Sequence, residues 1–148
     1  APIQRFRSQG IHVGLGTDIS GGYSPSMYEN IRQAVLVSRL LETGVNAQLP
    51  PDERGGLGEG TRLSLVESFW LATAGGAEAL GLPLATFEPG RAFDLQVIDV
   101  KRPDSALTGF GVFDEPIDRL ARILYLSTPD NVRQVFSQGV LVCDKDAR

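Results

Sequence analysis

Apolar and polar residues near the start of the chain alternate with a period of two. Apolar Ile11, Val13 and Leu15 are separated by polar or glycine residues up to Asp18, and this period predicts a strand over residues 11–17. Gly14 and Gly16 lie on the same face of the predicted strand as Asp18. Their lack of side chains either leaves free space in front of the carboxylate or permits close approach of another backbone.

Helical periodicity follows the predicted strand in two segments. Apolar residues recur at spacings of three and four over residues 27–41, and a second segment of this kind begins after Ser64. Ser26 precedes Glu29 by three residues, and Ser64 precedes Glu67 by the same interval. This spacing is typical of a capping box, so each serine predicts the start of a helix.

The other elements follow from shorter patterns. Gly75 and Gly76 are expected to break the second helix before a short helix at residues 77–80, and the chain start resembles a helix end. The remaining expected elements are a buried strand over 93–100, a helix over 117–126, and a hairpin of strands 132–136 and 140–143. The change in character predicts two domains, 1–82 and 83–148.

Residues 46–60 predict a long loop, because they contain two prolines and four glycines. Loops of this length are commonly functional or mobile. We favour a mobile surface excursion because the segment has no aromatic anchor. Its glycine-rich part follows prolines and charged residues rather than a strand, which makes a phosphate-binding loop a poor interpretation.

Composition narrows the class of protein. The 148 residues carry 18 acidic and 14 basic side chains, a balance that argues against a nucleic-acid surface. No apolar run approaches the roughly 20 residues of a membrane span. Cys143 is the only cysteine, so an internal disulfide is excluded and a cytoplasmic location is expected. Because no methionine precedes residue 27, we expect the chain to begin inside a longer polypeptide or after processing.

Asp18 is the first candidate for chemistry. A carboxylate at the carboxyl end of a strand can bind a cation or act as a general base; it can equally hydrogen-bond the glycine turn that follows. The only histidine, His12, lies six residues away, roughly 20 Å along a strand, so one metal ion cannot join the two there. His12 and Cys143 are therefore interpreted as structural.

A complete catalytic site is not visible in the sequence. Zinc hydrolase sites commonly use three protein ligands and a water, and Asp18 is the one usable carboxylate. The polar neighbours Ser20, Tyr23 and Ser24 are of types that usually serve turn geometry. No nucleophile elbow, P-loop or paired-cysteine motif is present.

Three motifs resemble a known family. V-G-L-G-T-D-I-S-G-G-Y-S-P-S-M, followed by I-R-Q-A-V-L-V-S, resembles the C-terminal part of guanine deaminases of the amidohydrolase superfamily. L-A-T-A-G-G-A-E-A-L-G-L and F-E-P-G-R-A-F-D-L resemble segments shared more widely in that superfamily. The resemblance covers nearly the whole chain.

The resemblance implies an α/β fold, namely a C-terminal fragment of a (β/α)8 metal-dependent hydrolase barrel together with part of a small β-rich domain. It implies that Asp18 closes the last barrel strand, ligates the catalytic zinc and handles protons of the attacking water. Zinc-bound hydroxide would then convert guanine to xanthine and ammonia. The other zinc ligands, the proton-shuttling glutamate and the purine-binding arginine match nothing in this chain, so we expect the isolated chain to be inactive.

Alternatives to this assignment stay open. Another deaminase or chlorohydrolase of the superfamily would share these motifs and differ in the residues that bind the ring. A freestanding interaction or dimerisation domain derived from such an enzyme is a third possibility. The resemblance also implies a homo-oligomer. Separately, a lone barrel strand leaves unpaired backbone groups, so the fragment is expected to associate through that strand. No nucleic-acid or membrane partner is expected.

Overall fold

The first half of the chain contains helices joined by irregular segments, and the second half contains a small antiparallel sheet and one helix of 11 residues. The computed structural model describes residues 1–19, 21–109, 111 and 114–147. The chain divides into two units, Ala1–Leu82 and Pro83–Arg148. The mixture of helix and strand agrees with the α/β prediction at that level.

The first unit contains the helices predicted from periodicity. They are α1 (Ile3–Ser8), α2 (Met27–Thr43), α3 (Leu65–Ala72) and α4 (Ala74–Leu80). Its core combines apolar side chains of α2, α3 and α4 with Leu63, which precedes α3. The described part of the chain contains no helix with both the length and the apolar character to cross a membrane.

Only one of the two predicted capping boxes forms. Ser64 accepts a hydrogen bond from the Glu67 N–H at 3.1 Å, and the Glu67 carboxylate accepts one from the Ser64 N–H at 2.8 Å. Ser26 makes no such side-chain bond at the start of α2, and Glu29 lies 3.7 Å from Arg32 instead. The Ser26 prediction is wrong in its mechanism although the helix begins where expected.

Gly75 and Gly76 do not break a helix. The interruption lies at Thr73, whose φ and ψ of −126° and −100° separate α3 from α4. Gly75 lies within α4, where a Cβ atom would stand 2.5 Å from the ring of Trp70. The glycine is therefore required by close packing rather than by a turn.

Residues 11–17 form neither a helix nor a strand, and no β-ladder joins them to any described residue. The predicted strand is thus wrong as an assignment, since a strand needs a partner to satisfy its backbone groups. A single hydrogen bond from the Leu15 N–H to the Leu71 carbonyl, 2.8 Å long, ties the segment to the end of α3. The predicted alternation holds in part: Val13 and Leu15 are half-buried, whereas Asp18 is exposed.

Residues 46–60 fold back onto the end of α2 rather than forming a loose excursion. The Leu57 N–H donates to the Leu41 carbonyl at 2.7 Å, and the Gly58 N–H donates to the Glu42 carbonyl at 3.1 Å. A short 3-10 helix, Pro51–Glu53, lies within the segment. The expectation of a mobile loop overlooked these backbone bonds, which no side-chain pattern signals.

The second unit consists of β1 (Leu95–Ile98), α5 (Pro116–Leu126), β2 (Val132–Ser137) and β3 (Val140–Asp144). The described strands form an antiparallel sheet in the order β1-β2-β3. The predicted helix and hairpin are confirmed within one or two residues. The first strand is shorter than predicted and only partly buried, because both of its central residues are exposed.

Asp94 ties the hairpin to the segment before β1. Its carboxylate accepts a hydrogen bond from the Gln138 N–H at 2.6 Å, and the Gly139 N–H donates to the Phe93 carbonyl at 2.9 Å. Gln138 and Gly139 both have positive φ, 51° and 79°, as expected for a two-residue turn. The aspartate of the F-E-P-G-R-A-F-D motif therefore has a structural use.

Candidate functional site

The site predicted from sequence centres on Asp18, where segment 11–17 ends. Asp18 has a φ of 46°, a left-handed conformation that aspartate tolerates better than most residues. Its carbonyl accepts hydrogen bonds from the N–H groups of Gly21, at 2.9 Å, and Gly22. The main chain of Asp18 thus closes the glycine turn.

The Asp18 carboxylate has no part in closing that turn. The side chain is exposed, and no hydrogen bond or ion pair joins it to another described residue. It lies beside Gly21, where a Cβ atom would be 3.2 Å from Asp18 Oδ2. The reading in which the Asp18 carboxylate hydrogen-bonds the glycine turn is therefore wrong, because the Asp18 carbonyl closes that turn and the carboxylate has no partner among the described residues.

Glycines shape both sides of this turn. A Cβ atom at Gly22 would overlap the Thr17 carbonyl oxygen and lie 2.8 Å from that of Asp18. At Gly14 a Cβ atom would lie 2.8 Å from Gly76 Cα, whereas at Gly16 it would meet nothing within 4 Å. Both readings of the glycine side hold, one at each position: Gly14 permits close backbone packing, and Gly16 leaves open space before Asp18.

Asn30 positions the chain after the turn, and sequence reasoning missed it. Its buried Nδ2 donates to the Ser24 carbonyl at 2.7 Å and to the Ser26 carbonyl at 2.8 Å. The Ser26 N–H donates to Ser24 Oγ at 3.0 Å, and Ser24 is itself buried. The available signal in the sequence was a side-chain amide in the first turn of the predicted helix, directly before the apolar Ile31, where such a polar side chain needs hydrogen-bond partners.

Tyr23, His12 and Cys143 take no part in the Asn30 network. Tyr23 is 74% exposed, and Ser20 lies outside the described residues. His12 is exposed and its Nδ1 stands 3.6 Å from Glu78 Oε2 on α4. Cys143 is half-buried in β3 opposite Val135. These surroundings agree with structural interpretations of His12 and Cys143.

The described residues do not supply a complete metal site. Within them, no group of three or more histidine, cysteine, aspartate or glutamate side chains could hold a metal ion. A zinc ion requires about four ligands. Asp18 could therefore contribute one oxygen ligand, and further ligands would have to come from residues outside this set.

Ionisable groups near the start of the chain meet at Glu67. Burial acts to raise the pKa of the Glu67 carboxyl, but hydrogen bonds from Ser64, Gln4 and Arg7 outweigh it and lower that pKa to about 2. Arg7 lies 3.0 Å from Glu67 Oε1, and its guanidinium stands 5.0 Å from the centre of the Trp70 ring. This cluster joins α1 to α3 and has no direct contact with Asp18.

Comparison with known proteins gives the context of the Asp18 segment. A family model described as "Amidohydrolase family" matches residues 1–142. Guanine deaminase of Homo sapiens is 38% identical over 137 residues, which cover 87% of this chain and 27% of that protein.

Solved structures agree with the sequence match. Guanine deaminase from C. acetobutylicum, solved with bound guanine in its active site, superposes with a TM-score of 0.71 at 26% identity; the match covers 95% of this chain and 29% of that one. A mutant atrazine chlorohydrolase from Arthrobacter aurescens, complexed with zinc and atraton, superposes with a TM-score of 0.61 at 26% identity. That match covers 97% of this chain and 28% of the chlorohydrolase chain. The chain thus spans less than a third of these relatives.

The family model covers residues 1–142, which include the Asp18 turn, helices α1 to α5, and the sheet of the second unit except for the end of β3. The human relative is similar in sequence over 87% of the chain, and the C. acetobutylicum structure is similar in backbone over 95% of it. The chain belongs to the amidohydrolase family.

Proposed function

We propose that this chain is the C-terminal part of a zinc-dependent guanine deaminase, in which residues 1–82 end the catalytic barrel and 83–148 belong to a small β-rich domain. The proposal rests on the Asp18 carboxylate at the end of segment 11–17. This carboxylate is exposed, and no hydrogen bond or ion pair joins it to another described residue. The similarity to guanine deaminases supports the choice of substrate.

Asp18 has two roles in the proposed reaction. As a carboxylate it would provide one oxygen ligand for zinc, which when bound supplies Lewis-acid activation of the attacking water. It would also accept a proton from that water as the ring carbon is attacked. The amino group leaves with a proton as ammonia, and guanine plus water becomes xanthine.

The donor chemistry of the chain fits zinc as one ligand of a set. A carboxylate oxygen is an accepted zinc ligand, and the left-handed turn leaves that of Asp18 without a competing partner in the described residues. The remaining ligands would be supplied by other parts of the longer polypeptide. We therefore expect the isolated chain to hold zinc weakly and to be inactive.

Substitution of Asp18 in the full-length polypeptide tests this assignment. Asp18→Asn should lower kcat/KM for guanine at least about a hundredfold, the effect typical of a positioned general base, and should reduce bound zinc. Asp52→Asn, in the exposed 3-10 helix, is the matched control and should leave both unchanged. Full activity of Asp18→Asn would exclude the proposed role.

The isolated 148-residue chain provides a second test. Incubation with guanine and zinc should yield no xanthine by absorbance. Zinc-dependent xanthine formation by this chain would contradict the incomplete-site proposal.

A different ring substrate is the second candidate, favoured by the similarity to a zinc-bound chlorohydrolase. Displacement of chloride or ammonia from a ring by water is closely related chemistry, so Asp18 would keep its role. Parallel assays of the full-length protein on guanine, adenine, cytosine and a chlorinated triazine distinguish the substrates. A preference for any ring other than guanine would replace the guanine assignment.

An interaction module is the candidate from a different class. Val140 and Val142 of β3 are 63% and 60% exposed, and exposed apolar edge strands favour association. A stable homo-oligomer by light scattering, together with no hydrolase activity of the full-length polypeptide, would favour this reading. The proposed enzyme is a cytoplasmic homo-oligomer, so oligomerisation with activity supports the deaminase.

A further inference from the structure

The second unit contains a cavity that the proposed deaminase chemistry does not use. Its volume is about 490 Å3, within the range of small-molecule sites. The cavity lies between α5 and the segment after β1. Its basic lining residues are Lys101, Arg119 and Arg122, and its apolar lining residues include Val100, Leu107 and Ile123.

One of the three basic side chains is already neutralised. Arg122 Nη2 lies 2.5 Å from Asp114 Oδ1. Gly109 packs against this pair, because a Cβ atom there would lie 2.5 Å from Arg122 Nη1 and 2.9 Å from Asp114 Oδ1. The absence of a side chain at Gly109 therefore lets the pair sit against the main chain, which fixes one wall of the cavity.

The other two basic side chains have no such partner. Among the described residues, no ion pair or hydrogen bond engages the side chain of Lys101 or Arg119, and the main-chain N–H of Lys101 donates to Asp99 Oδ1 at 2.9 Å. Most other described arginines pair with a carboxylate; these are Arg7, Arg32, Arg62, Arg91, Arg102 and Arg133. Two exposed cations without an ion-pair partner among the described residues thus line one cavity, in a chain whose net charge is −4.

The spacing on α5 places the arginines together. Arg119 and Arg122 are three residues apart and lie on neighbouring positions of one helix face. Counting Lys101 and Asp114, the cavity has three positive charges and one negative charge, a net charge of +2. A guanidinium offers a planar pair of donors suited to phosphate and carboxylate oxygens.

We propose that this cavity binds a small phosphate ester, with Arg119 and Lys101 contacting the phosphate and the apolar wall contacting the rest of the molecule. Arg122 is paired with Asp114 and forms one wall of the cavity, so the net positive charge comes from Lys101 and Arg119. The phosphate class is favoured over a monocarboxylate because a dianion matches the net charge of the cavity. This proposal is independent of the deaminase function, since none of its residues takes part there.

Calorimetric titration of the 148-residue protein at constant ionic strength tests the proposal. Phenyl phosphate has both a phosphate group and an apolar ring. Inorganic phosphate has the phosphate group alone, and phenol has the ring without the phosphate. We expect saturable 1:1 binding of phenyl phosphate, weaker binding of inorganic phosphate, and no binding of phenol. Binding of phenol as tight as that of phenyl phosphate, or no saturable binding of phenyl phosphate, would overturn the proposal.

Variants locate the binding. Arg119→Gln and Lys101→Gln should each weaken phenyl phosphate binding about tenfold or more, the loss expected for one charge-assisted contact. Arg39→Gln, an exposed cation of α2, is the control and should change the affinity less than about twofold. Circular dichroism establishes that each variant is folded, and Arg119→Lys offers a milder substitution that should retain partial affinity. Equal weakening by Arg39→Gln, or unchanged affinity in Arg119→Gln and Lys101→Gln, would contradict the assigned site.

Discussion

At the scale of single residues, glycines of the Asp18 region serve two different physical needs. Gly14 lets segment 11–17 approach Gly76 on α4, where a side chain would collide with backbone. Gly22 leaves room for the carbonyls that close the turn. Gly16 has neither constraint, so it supplies an internal comparison on the same segment.

Gly14→Ala should destabilise the protein by about 1–3 kcal/mol, the usual cost of forcing an extra methyl group into a packed site. Gly16→Ala should change the free energy of unfolding by less than about 0.5 kcal/mol, since its Cβ meets nothing within 4 Å. Urea unfolding followed by circular dichroism measures both. Similar losses for the two variants would show that the close approach to Gly76 is not the cause.

At the scale of elements, two helices with the same S-x-x-E spacing begin in different ways. α3 has a reciprocal capping box between Ser64 and Glu67. α2 begins after Ser26 without a side-chain cap, and Asn30 holds the preceding chain instead. The same local sequence pattern therefore serves different networks, because the neighbouring partners differ.

Ser64→Ala should cost about 1 kcal/mol of stability, the typical loss when a capping serine is removed. Ser26→Ala should cost only a few tenths of that, because no capping bond is lost there. The comparison uses chemical denaturation of both variants under identical conditions. If Ser26→Ala proved as costly as Ser64→Ala, the capping assignment would need revision.

The Glu67 cluster predicts a pH dependence of stability. The pKa of Glu67 is lowered to about 2 in the folded protein from an ordinary value of 4.5, because the hydrogen bonds it accepts outweigh the effect of burial. A lowered folded-state pKa stabilises the fold above the unfolded-state pKa, and this contribution is lost as the pH falls from about 4.5 through about 2.

Glu67→Gln should therefore reduce the free energy of unfolding at pH 7. The difference in the free energy of unfolding between the parent protein and this variant should become smaller as the pH falls below about 4.5. Denaturation midpoints at several pH values between 7 and 3 measure this. Glu59→Gln, in the exposed loop, is the control and should show a small and nearly pH-independent difference. A gap for Glu67→Gln that widens on acidification would contradict the predicted sign.

At the scale of the whole molecule, each unit has its own buried centre. The fully buried Leu71 of α3 and Ile31 of α2 belong to the first unit. In the second unit, Leu124 is 1% exposed, and buried Asn131 donates hydrogen bonds to the Asp99 carbonyl and to Ser105 Oγ. Each of the two units therefore contains buried residues of its own.

Leu124→Ala should destabilise the second unit by about 2–5 kcal/mol, the range for truncating a buried leucine. Leu126→Ala, on the same helix but 45% exposed, should cost less than about 1 kcal/mol. Thermal unfolding and hydrogen exchange of α5 amides measure the effect. Equal losses would mean that α5 does not contribute its buried face as described.

Local signals account for what could be predicted. Periodicity located α2 and α3, and turn residues located the hairpin at Gln138 and Gly139, because these features depend on neighbours in the chain. The strand at residues 11–17 and the break at Gly75 were mispredicted, since both depend on what lies across from them. Sequence reasoning missed the role of Asn30 and the cavity beside α5 for the same reason.

The sequence by itself determined the helices, the hairpin and the motif that ends in Asp18, because these rest on short-range propensity and on residue identity. Tertiary structure decided the uses of those residues: the main chain of Asp18 closes a turn while its carboxylate stays exposed, and Gly14 packs where Gly16 does not. The physical reason is that packing, capping and strand pairing are relations between distant segments, and a one-dimensional pattern carries no distances between them.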